Sequence, residues 1–263
     1  AKDRLDLTDQ NIAVTGNIAV NDANLLNATT TGTVTAEIDP TETVDSLVNL
    51  TGTNAYTIKI ASGDATDSTA AEFNAINSAT SVAVDMTNVT ALAASTLSDV
   101  NTLALAIKDW RNTDQIRNGG RLTTVAISDS TIDATALATA IDNLDVINLG
   151  ATTDMTLASG ATINVDAGEV TEMLLDETQN RLDIVDQNIT VTNAISAADA
   201  KLLADTTTGV VTATIATTAR VSDLKLLPAE SNAFTIVISA EDATSSTAAE
   251  FNAINSATSV AVD

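Results

Sequence analysis

Apolar residues along the chain follow two periods that alternate. Period-two runs, which are typical of β-strands, occur at 34–38, 56–60, 82–84, 122–127, 146–149, 182–185, 211–215, 234–238 and 260–262. Segments with helical spacing lie between them, at 23–27, 44–50, 71–76, 92–107, 134–141, 170–175, 197–203 and 221–227. Most strand-like runs are about 20 to 28 residues apart, so the pattern predicts a recurring order of strand, turn, short helix and turn.

A long repeat is superimposed on this short rhythm. Residues 68–85, with the sequence STAAEFNAINSATSVAVD, recur without a change as residues 246–263. The preceding sequence also aligns, from Arg4 onto Arg181, where apolar positions such as Ile12 and Ile189 are kept and the substitutions fall mainly on polar positions between them. We therefore predict one complete long repeat of about 177–178 residues at 1–180, and the first part of a second, continuous copy at 181–263.

Two helix starts are marked by a capping pattern. Thr69 precedes Glu72 by three residues, which is the spacing of a capping box, and a helix is expected to begin there. Asp166 and Glu169 have the same spacing before Val170 and predict a second box.

The short elements cannot bury their apolar faces alone, so neighbouring units must stack. The fold predicted is a repeat solenoid of short β-strands in a parallel sheet and short α-helices, with about 24 residues per turn. The alternative is a series of tandem domains of β-sandwich or β-roll type.

The rhythm breaks at two places. Residues 150–168 contain three glycines and two brief alternating runs, and predict a strand-only turn or a hairpin. Residues 108–121, KDWRNTDQIRNGGR, hold four of the eleven basic residues and the only tryptophan. This second segment is interpreted as an inserted loop, a bend between two solenoid blocks or a docking site.

The charge and residue composition of the chain exclude several classes of function. The net charge of -24 repels nucleic-acid phosphates and anionic lipid headgroups, and no apolar run is long enough to span a membrane. We therefore expect no nucleic-acid partner and no membrane insertion.

The chain has no cysteine and no histidine, which excludes disulfides, thiolate chemistry and histidine bases. Motifs for a serine nucleophile elbow, a phosphate-binding loop or a dinucleotide fold are absent as well, so we predict no enzyme activity.

Carboxylates recur at the edges of the predicted units. Six of them are candidate Ca²⁺ ligands, namely Asp6, Asp9, Asp64, Asp183, Asp186 and Asp242. Oxygen ligands at turns are those that Ca²⁺ prefers, although aspartates at such places also cap helices and form turns without a metal. Structural calcium is the only cofactor predicted.

The basic segment supplies a candidate partner-binding site. Its members are Lys108, Trp110, Arg111, Arg117 and Arg121. A basic, aromatic-bearing patch on an acidic chain matches the charge of other copies of the same chain or of its neighbouring repeats. The alternative is a solvated connection in which Trp110 fills a gap in the solenoid, and a glycan stacked on Trp110 is a further possibility.

The repeats resemble the tandem-repeat regions of giant bacterial cell-surface proteins of the cyanobacterial type, of repetitive type I secreted adhesins and of S-layer proteins. The resemblance is carried by SAADAKLL at 196–203, TGVVTATI at 208–215 and the two FNAINSATSVAVD segments. It implies an extracellular or cell-surface structural scaffold, as an adhesin stalk, surface layer or filament that self-associates and is often stabilised by calcium. The alternative function is an adhesin module that binds a glycan or a host surface.

Overall fold

The chain has an α/β fold of parallel sheets and helices, as the sequence predicts. The computed structural model describes residues 6–64, 66–112, 122–147, 153–229 and 232–263, with the side chains of 109–112 outside the description. Two compact units are present, one formed by Ala1–Ala126 with Asp142–Thr153 and the other by Ile127–Ile141 with Asp154–Asp263. Each unit is built from strands that alternate with helices.

The first unit begins with three strand–helix turns. Its elements are β1 (Ile12–Ile18), α1 (Val20–Thr29), β2 (Val34–Ile38), α2 (Val44–Leu47), β3 (Ala55–Thr57), a 3-10 turn (Ser62–Asp64), α3 (Ala70–Ser78), β4 (Ala91–Ser95), α4 (Leu97–Asn112) and most of β5 (Thr124–Ile127). Strands β1, β2 and β3 form a parallel sheet in that order, in which Ile12 pairs with Val34 and Thr35 pairs with Ala55.

The second unit follows the same plan. It contains β6 (Thr131–Asp133), the larger part of α5 (Ala134–Ile147), β7 (Asp154–Leu157), β8 (Thr162–Val165), α6 (Val170–Thr178), β9 (Leu182–Asp183), β10 (Asn188–Val191), α7 (Ala197–Thr206), β11 (Val211–Thr214), α8 (Val221–Leu224), β12 (Ala233–Thr235), α9 (Ala240–Ser245) and α10 (Ala248–Ser256). A five-stranded parallel sheet has the order β12-β11-β10-β8-β6, and β7 pairs in parallel with β9.

Alternation along the strands explains where the core lies. In β2, Val34, Ala36 and Ile38 are buried whereas the two residues between them are exposed, because successive strand side chains point to opposite faces. Most other buried side chains are alanine, valine, isoleucine and leucine, and Tyr56 and Phe234 fill equivalent buried positions in the two copies. The apolar core is therefore mainly aliphatic.

The predicted capping box at Thr69 is confirmed. The Thr69 hydroxyl accepts from the N–H of Glu72, and the Glu72 carboxylate accepts from the N–H of Thr69. The box predicted at Asp166 is confirmed in one half, since the Glu169 carboxylate accepts from the N–H of Asp166 at 3.3 Å, and is wrong in the other. The Asp166 carboxylate accepts from the N–H of Gly168 at 2.9 Å rather than from Glu169, so it forms a local turn, and Glu169 itself occupies the N-cap of α6.

Several strand predictions need correction. The strand prediction at 146–149 is wrong at its described residues, since Val146 and Ile147 end α5, where Leu144 and Ile147 continue the buried stripe at helical spacing. Residues 148 and 149 lie outside the described residues. No extended strand is assigned at 82–84 or 260–262, although a single parallel bridge joins Lys59 to Asp85.

Residues 150–168 contain a strand-only turn, as predicted for their described part, but they do not form a hairpin. β7 and β8 flank a tight turn in which Gly160 has φ of +69°, a conformation that favours glycine. The two strands then pair with different partners, β7 with β9 and β8 with β6 and β10. The glycine therefore moves the chain between sheets instead of folding it back on itself.

Substitution of Tyr56 tests how much packing in the core contributes to stability. Tyr56 is fully buried, its hydroxyl donates to the Ala23 carbonyl at 3.3 Å, and burial raises the pKa of its phenol. Tyr56→Ala is expected to lower the free energy of unfolding of the first unit by about 3–5 kcal/mol through the cavity it creates. Tyr56→Phe reproduces the second copy and is expected to cost about 0.5–1.5 kcal/mol, for one hydrogen bond. Urea unfolding measures both, and equal losses would show that packing is not the main contribution.

Candidate functional site

Four buried threonines, at positions that are equivalent in the two copies, connect successive strand–helix turns, and we call them the bridging threonines. They are Thr30, Thr80, Thr207 and Thr258. Each hydroxyl donates to a main-chain carbonyl 20 or 24 residues earlier, at 2.6–2.7 Å, and those carbonyls belong to Gln10, Tyr56, Gln187 and Phe234 respectively. Each hydroxyl also accepts from the N–H two residues later, at 2.9–3.1 Å. One side chain thus satisfies polar groups on two turns.

Glycine allows two of these contacts to form. A Cβ atom on Gly32 would lie 2.3 Å from the Gln10 carbonyl oxygen, and one on Gly209 would lie 2.1 Å from the Gln187 carbonyl oxygen. The neighbouring atoms are main chain and cannot move aside without displacing a turn. These glycines therefore set how closely one turn approaches the next.

Asparagines complete the contacts at the strand starts. In the first copy, Asn11 accepts from the N–H of Thr33 at 2.8 Å, and Asn54 accepts from the N–H of Val34 at 2.9 Å. One asparagine lies on the turn before β2 and the other on the turn after it, so the start of the strand is held from both sides.

The second copy repeats this arrangement around β11. Asn188 accepts from the N–H of Val210 and Asn232 accepts from the N–H of Val211, both at 2.9 Å. Asn54 also donates to Asn27 at 2.9 Å, whereas the amide nitrogen of Asn232 has no partner among the described residues, because Ala204 stands where the first copy has Asn27.

Sequence reasoning missed this set of polar contacts. It assigned the kept apolar positions to the scaffold and the polar positions to a drifting surface. The available signal was that glutamine, threonine, glycine and asparagine are also kept at equivalent positions, namely Gln10 and Gln187, Thr30 and Thr207, Gly32 and Gly209, and Asn54 and Asn232. Chemically the arrangement binds main chain to main chain between turns.

The predicted calcium ligands are engaged in local hydrogen bonds. Asp6 accepts from the N–H and hydroxyl of Thr8 at 3.0 and 2.6 Å, and these bonds lower the pKa of its carboxyl group. Asp9 accepts from the side chain of Gln10. In the second copy, Asp183 accepts from the N–H of Val185 at 3.0 Å and Asp186 from the hydroxyl of Ser159 at 2.6 Å.

The other predicted pair also has protein partners. Asp64 accepts from the N–H of Val44, the first residue of α2, at 3.1 Å. Asp242 lies 3.9 Å from the Arg220 guanidinium and its N–H donates to Ser239, the N-cap of α9. Within the described part of the chain, no three acidic residues group in a way that would hold a metal ion. Calcium binding stays a prediction.

The basic segment falls largely outside the described residues. Lys108 lies in α4 and donates from Nζ to Asn143 at 3.1 Å. Trp110 and Arg111 belong to the end of the same helix, with their side chains outside the description, and Arg117 and Arg121 lie in 113–121, which is not described. Partner binding by this segment therefore stays a prediction.

Two acidic residues of α6, Asp176 and Glu177, contact residues that follow the helix in sequence. Asp176 is buried and forms an ion pair with Arg181 at 2.9 Å. Burial raises the pKa of Glu177, whose carboxylate accepts from the N–H of Ile184 at 2.8 Å. A cavity of about 20 Å³ beside Asp176 has room for about one water molecule.

An ion pair between two helices is present in the second copy and absent from the equivalent described residues of the first. Lys225 donates to Glu250 at 2.8 Å and thereby joins α8 to α10, whereas Val48 stands in place of the lysine in the first copy. The lysine and the hydrogen bonds from the Thr247 N–H and hydroxyl lower the pKa of Glu250 to about 2. This charge pair adds a helix-to-helix contact that the first copy lacks.

Comparison with protein-family models, with curated proteins and with solved structures finds no match to this chain. Among the described residues, no helix combines the length and apolar character that crossing a bilayer requires.

Replacing the close-approach glycine tests the spacing between turns. Gly209→Ala is expected to lower the free energy of unfolding of the second unit by about 1–3 kcal/mol, because its Cβ would overlap the Gln187 carbonyl. Gly63→Ala is the matched control, since nothing lies within 4 Å of a Cβ at that position and its φ needs no glycine. Thermal and urea unfolding measure the difference, and equal stability of the two variants would contradict the proposed packing constraint.

The Glu250 pair predicts a defined pH dependence. Because the carboxyl pKa of about 2 lies below its ordinary value of 4.5, the pair favours the folded state above pH 4.5, and this contribution is lost as the pH falls from about 4.5 to about 2. Lys225→Met should raise the pKa of Glu250, measured by NMR titration, towards 4.5, with Thr247 retaining part of the effect. Lys201→Met, which removes a lysine paired with Asp205, should leave it unchanged. A pKa near 4.5 in the parent protein would contradict the pair.

Proposed function

We propose that this chain is a repetitive structural scaffold of an extracellular bacterial surface protein, in which strand–helix turns continue as a parallel solenoid of about 24 residues per turn. Its role is to provide rigid length, as a stalk, surface layer or filament. The observation that carries the proposal is that both copies of the long repeat use the same bridging threonines, glycines and asparagines between turns.

The strand pairings support a solenoid within each unit. Paired residues lie about 20 to 31 positions apart in sequence, as for Thr35 with Ala55 and Thr131 with Thr162. All registered pairs are parallel, and a parallel pair requires a crossover such as the short helices supply. Each turn therefore adds at least one strand, whose edge pairs with a strand of the next turn.

Charge supports a role at an exposed surface. The net charge of -24 keeps neighbouring chains apart laterally. Contacts between copies are then expected at the ends of the sheets, where a strand such as β1 stands at the edge and exposes main-chain groups. Lateral repulsion combined with end contacts favours linear assembly.

The length of a tandem array tests this function. Residues 86–263, which contain 178 residues, would be appended once and twice after Asp263. A continuous solenoid with about 24 residues and about 4.8 Å per turn should lengthen by about 36 Å with each addition. Small-angle X-ray scattering or electron microscopy measures the maximum dimension of each array.

The control array joins the same repeats through a flexible glycine–serine linker. Its end-to-end distance should vary broadly and should not grow in equal steps, since such linkers behave as random coils. If the direct arrays resemble the linker arrays, or collapse into a compact particle, the scaffold proposal is overturned.

A further inference from the structure

The two identical segments differ in their surroundings. Helices α3 and α10 both read AAEFNAINS and both begin with a complete capping box. In the first copy α3 packs between α2 on one side and β4 and α4 on the other. In the second copy α10 packs against α8, the counterpart of α2, and among the described residues no element takes the place of β4 and α4.

The exposed fractions of equivalent residues show that the face of α10 is less covered than the face of α3. Ala70 is 0% exposed and Phe73 is 2% exposed, whereas their counterparts Ala248 and Phe251 are exposed and half-buried, respectively. The segment before each helix follows the same trend, because Ile60 is 0% exposed while its counterpart Ile238 is only half-buried. The sequence is identical at the helical positions, so the burial of these residues differs because of what packs against them.

The first copy shows what the cover consists of. The Ser95 hydroxyl, at the end of β4, accepts from the N–H of Ala70 at 2.9 Å, which satisfies one of the free donors at the start of α3. Asn74 donates to the Asp99 carbonyl in α4 at 2.9 Å. The buried stripe of α4, formed by Val100, Leu103, Ala104 and Ile107, completes the cover.

The uncovered face of α10 in the second copy contains a preformed open cleft. This cleft of about 380 Å³ is lined by Ile238, Phe251, Asn252, Asn255 and Val262 among others. The backbone bridge beside it is the same in both copies, since Asp85 exchanges hydrogen bonds with Ile58 and Ile60 as Asp263 does with Ile236 and Ile238. The site therefore needs little rearrangement before a cover can bind.

We propose that the face formed by α10, Ile238 and Val262 is a docking surface for a strand–helix segment with the chemistry of residues 86–112, supplied by a further long repeat. This deepens the scaffold function and rests on it, because it identifies how one long repeat attaches to the next. The segment must place a serine hydroxyl at the start of α10, a main-chain carbonyl beside Asn252 and an apolar helical stripe over Phe251.

The absence of cysteine from the chain allows a direct test. Ala248→Cys places one thiol on the uncovered face, and Ala70→Cys places one at the covered equivalent. Alkylation rates would be compared between the 263-residue chain and a chain extended after Asp263 by a copy of residues 86–112. The extension should slow alkylation of the Ala248→Cys thiol at least about tenfold, towards the rate of the Ala70→Cys thiol.

A matched extension removes the proposed contacts. It carries the changes V100D and L103D at the corresponding positions of the added copy, and it should leave the Ala248→Cys thiol as reactive as in the unextended chain. Equal rates with and without the intact extension would overturn the proposal. Protection of the unextended chain that grows with protein concentration would also overturn it, since a second copy would then be the occupant.

Failure here can be told apart from failure of the scaffold function. If the thiol is protected but tandem arrays do not lengthen in equal steps, the docking surface stands and the scaffold function fails. If arrays lengthen regularly while the thiol stays reactive, the scaffold stands and this docking surface is wrong.

Discussion

The structure depends on supplying partners to main-chain polar groups where successive turns meet. The main-chain groups are buried where two stacked turns meet. An N–H or carbonyl left there without a hydrogen-bond partner lowers the free energy of unfolding by about 1–3 kcal/mol. Threonine meets this need because its hydroxyl both donates and accepts, and Thr30 and Thr207 do so in the same way in the two copies. Aliphatic packing alone would leave these main-chain groups without partners, so the polar contacts determine which turn lies beside which.

Local sequence signals predicted much of the fold. Strand 34–38 alternates strictly and forms β2 with the predicted bounds, and the Thr69 capping box marks the start of α3. Both features depend on residues within a few positions of one another, which is the range over which hydrophobic period and capping act. The repeated strand–helix order followed from the same local patterns.

The remaining features depend on contacts that local patterns do not encode. β10, Asn188–Val191, alternates polar and apolar residues over only four positions, and it becomes a strand because it pairs with β8 and β11 on either side. At Val146 and Ile147 the alternation was too short to compete with the helical stripe that reaches Ile147. The candidate site is equally non-local, since Thr207 and its acceptor on Gln187 are 20 residues apart and only the comparison of the two copies relates them.

The identity of α3 and α10 gives α4 two possible partners during folding. Pairing with α3 closes a loop of about 18 residues, whereas pairing with α10 closes one of about 135 residues. The longer loop costs about 2 kcal/mol more in chain entropy, so connectivity rather than side-chain chemistry selects the native pair. Because α3 and α4 are also synthesised one after the other, the native pair can form before α10 exists as a competitor.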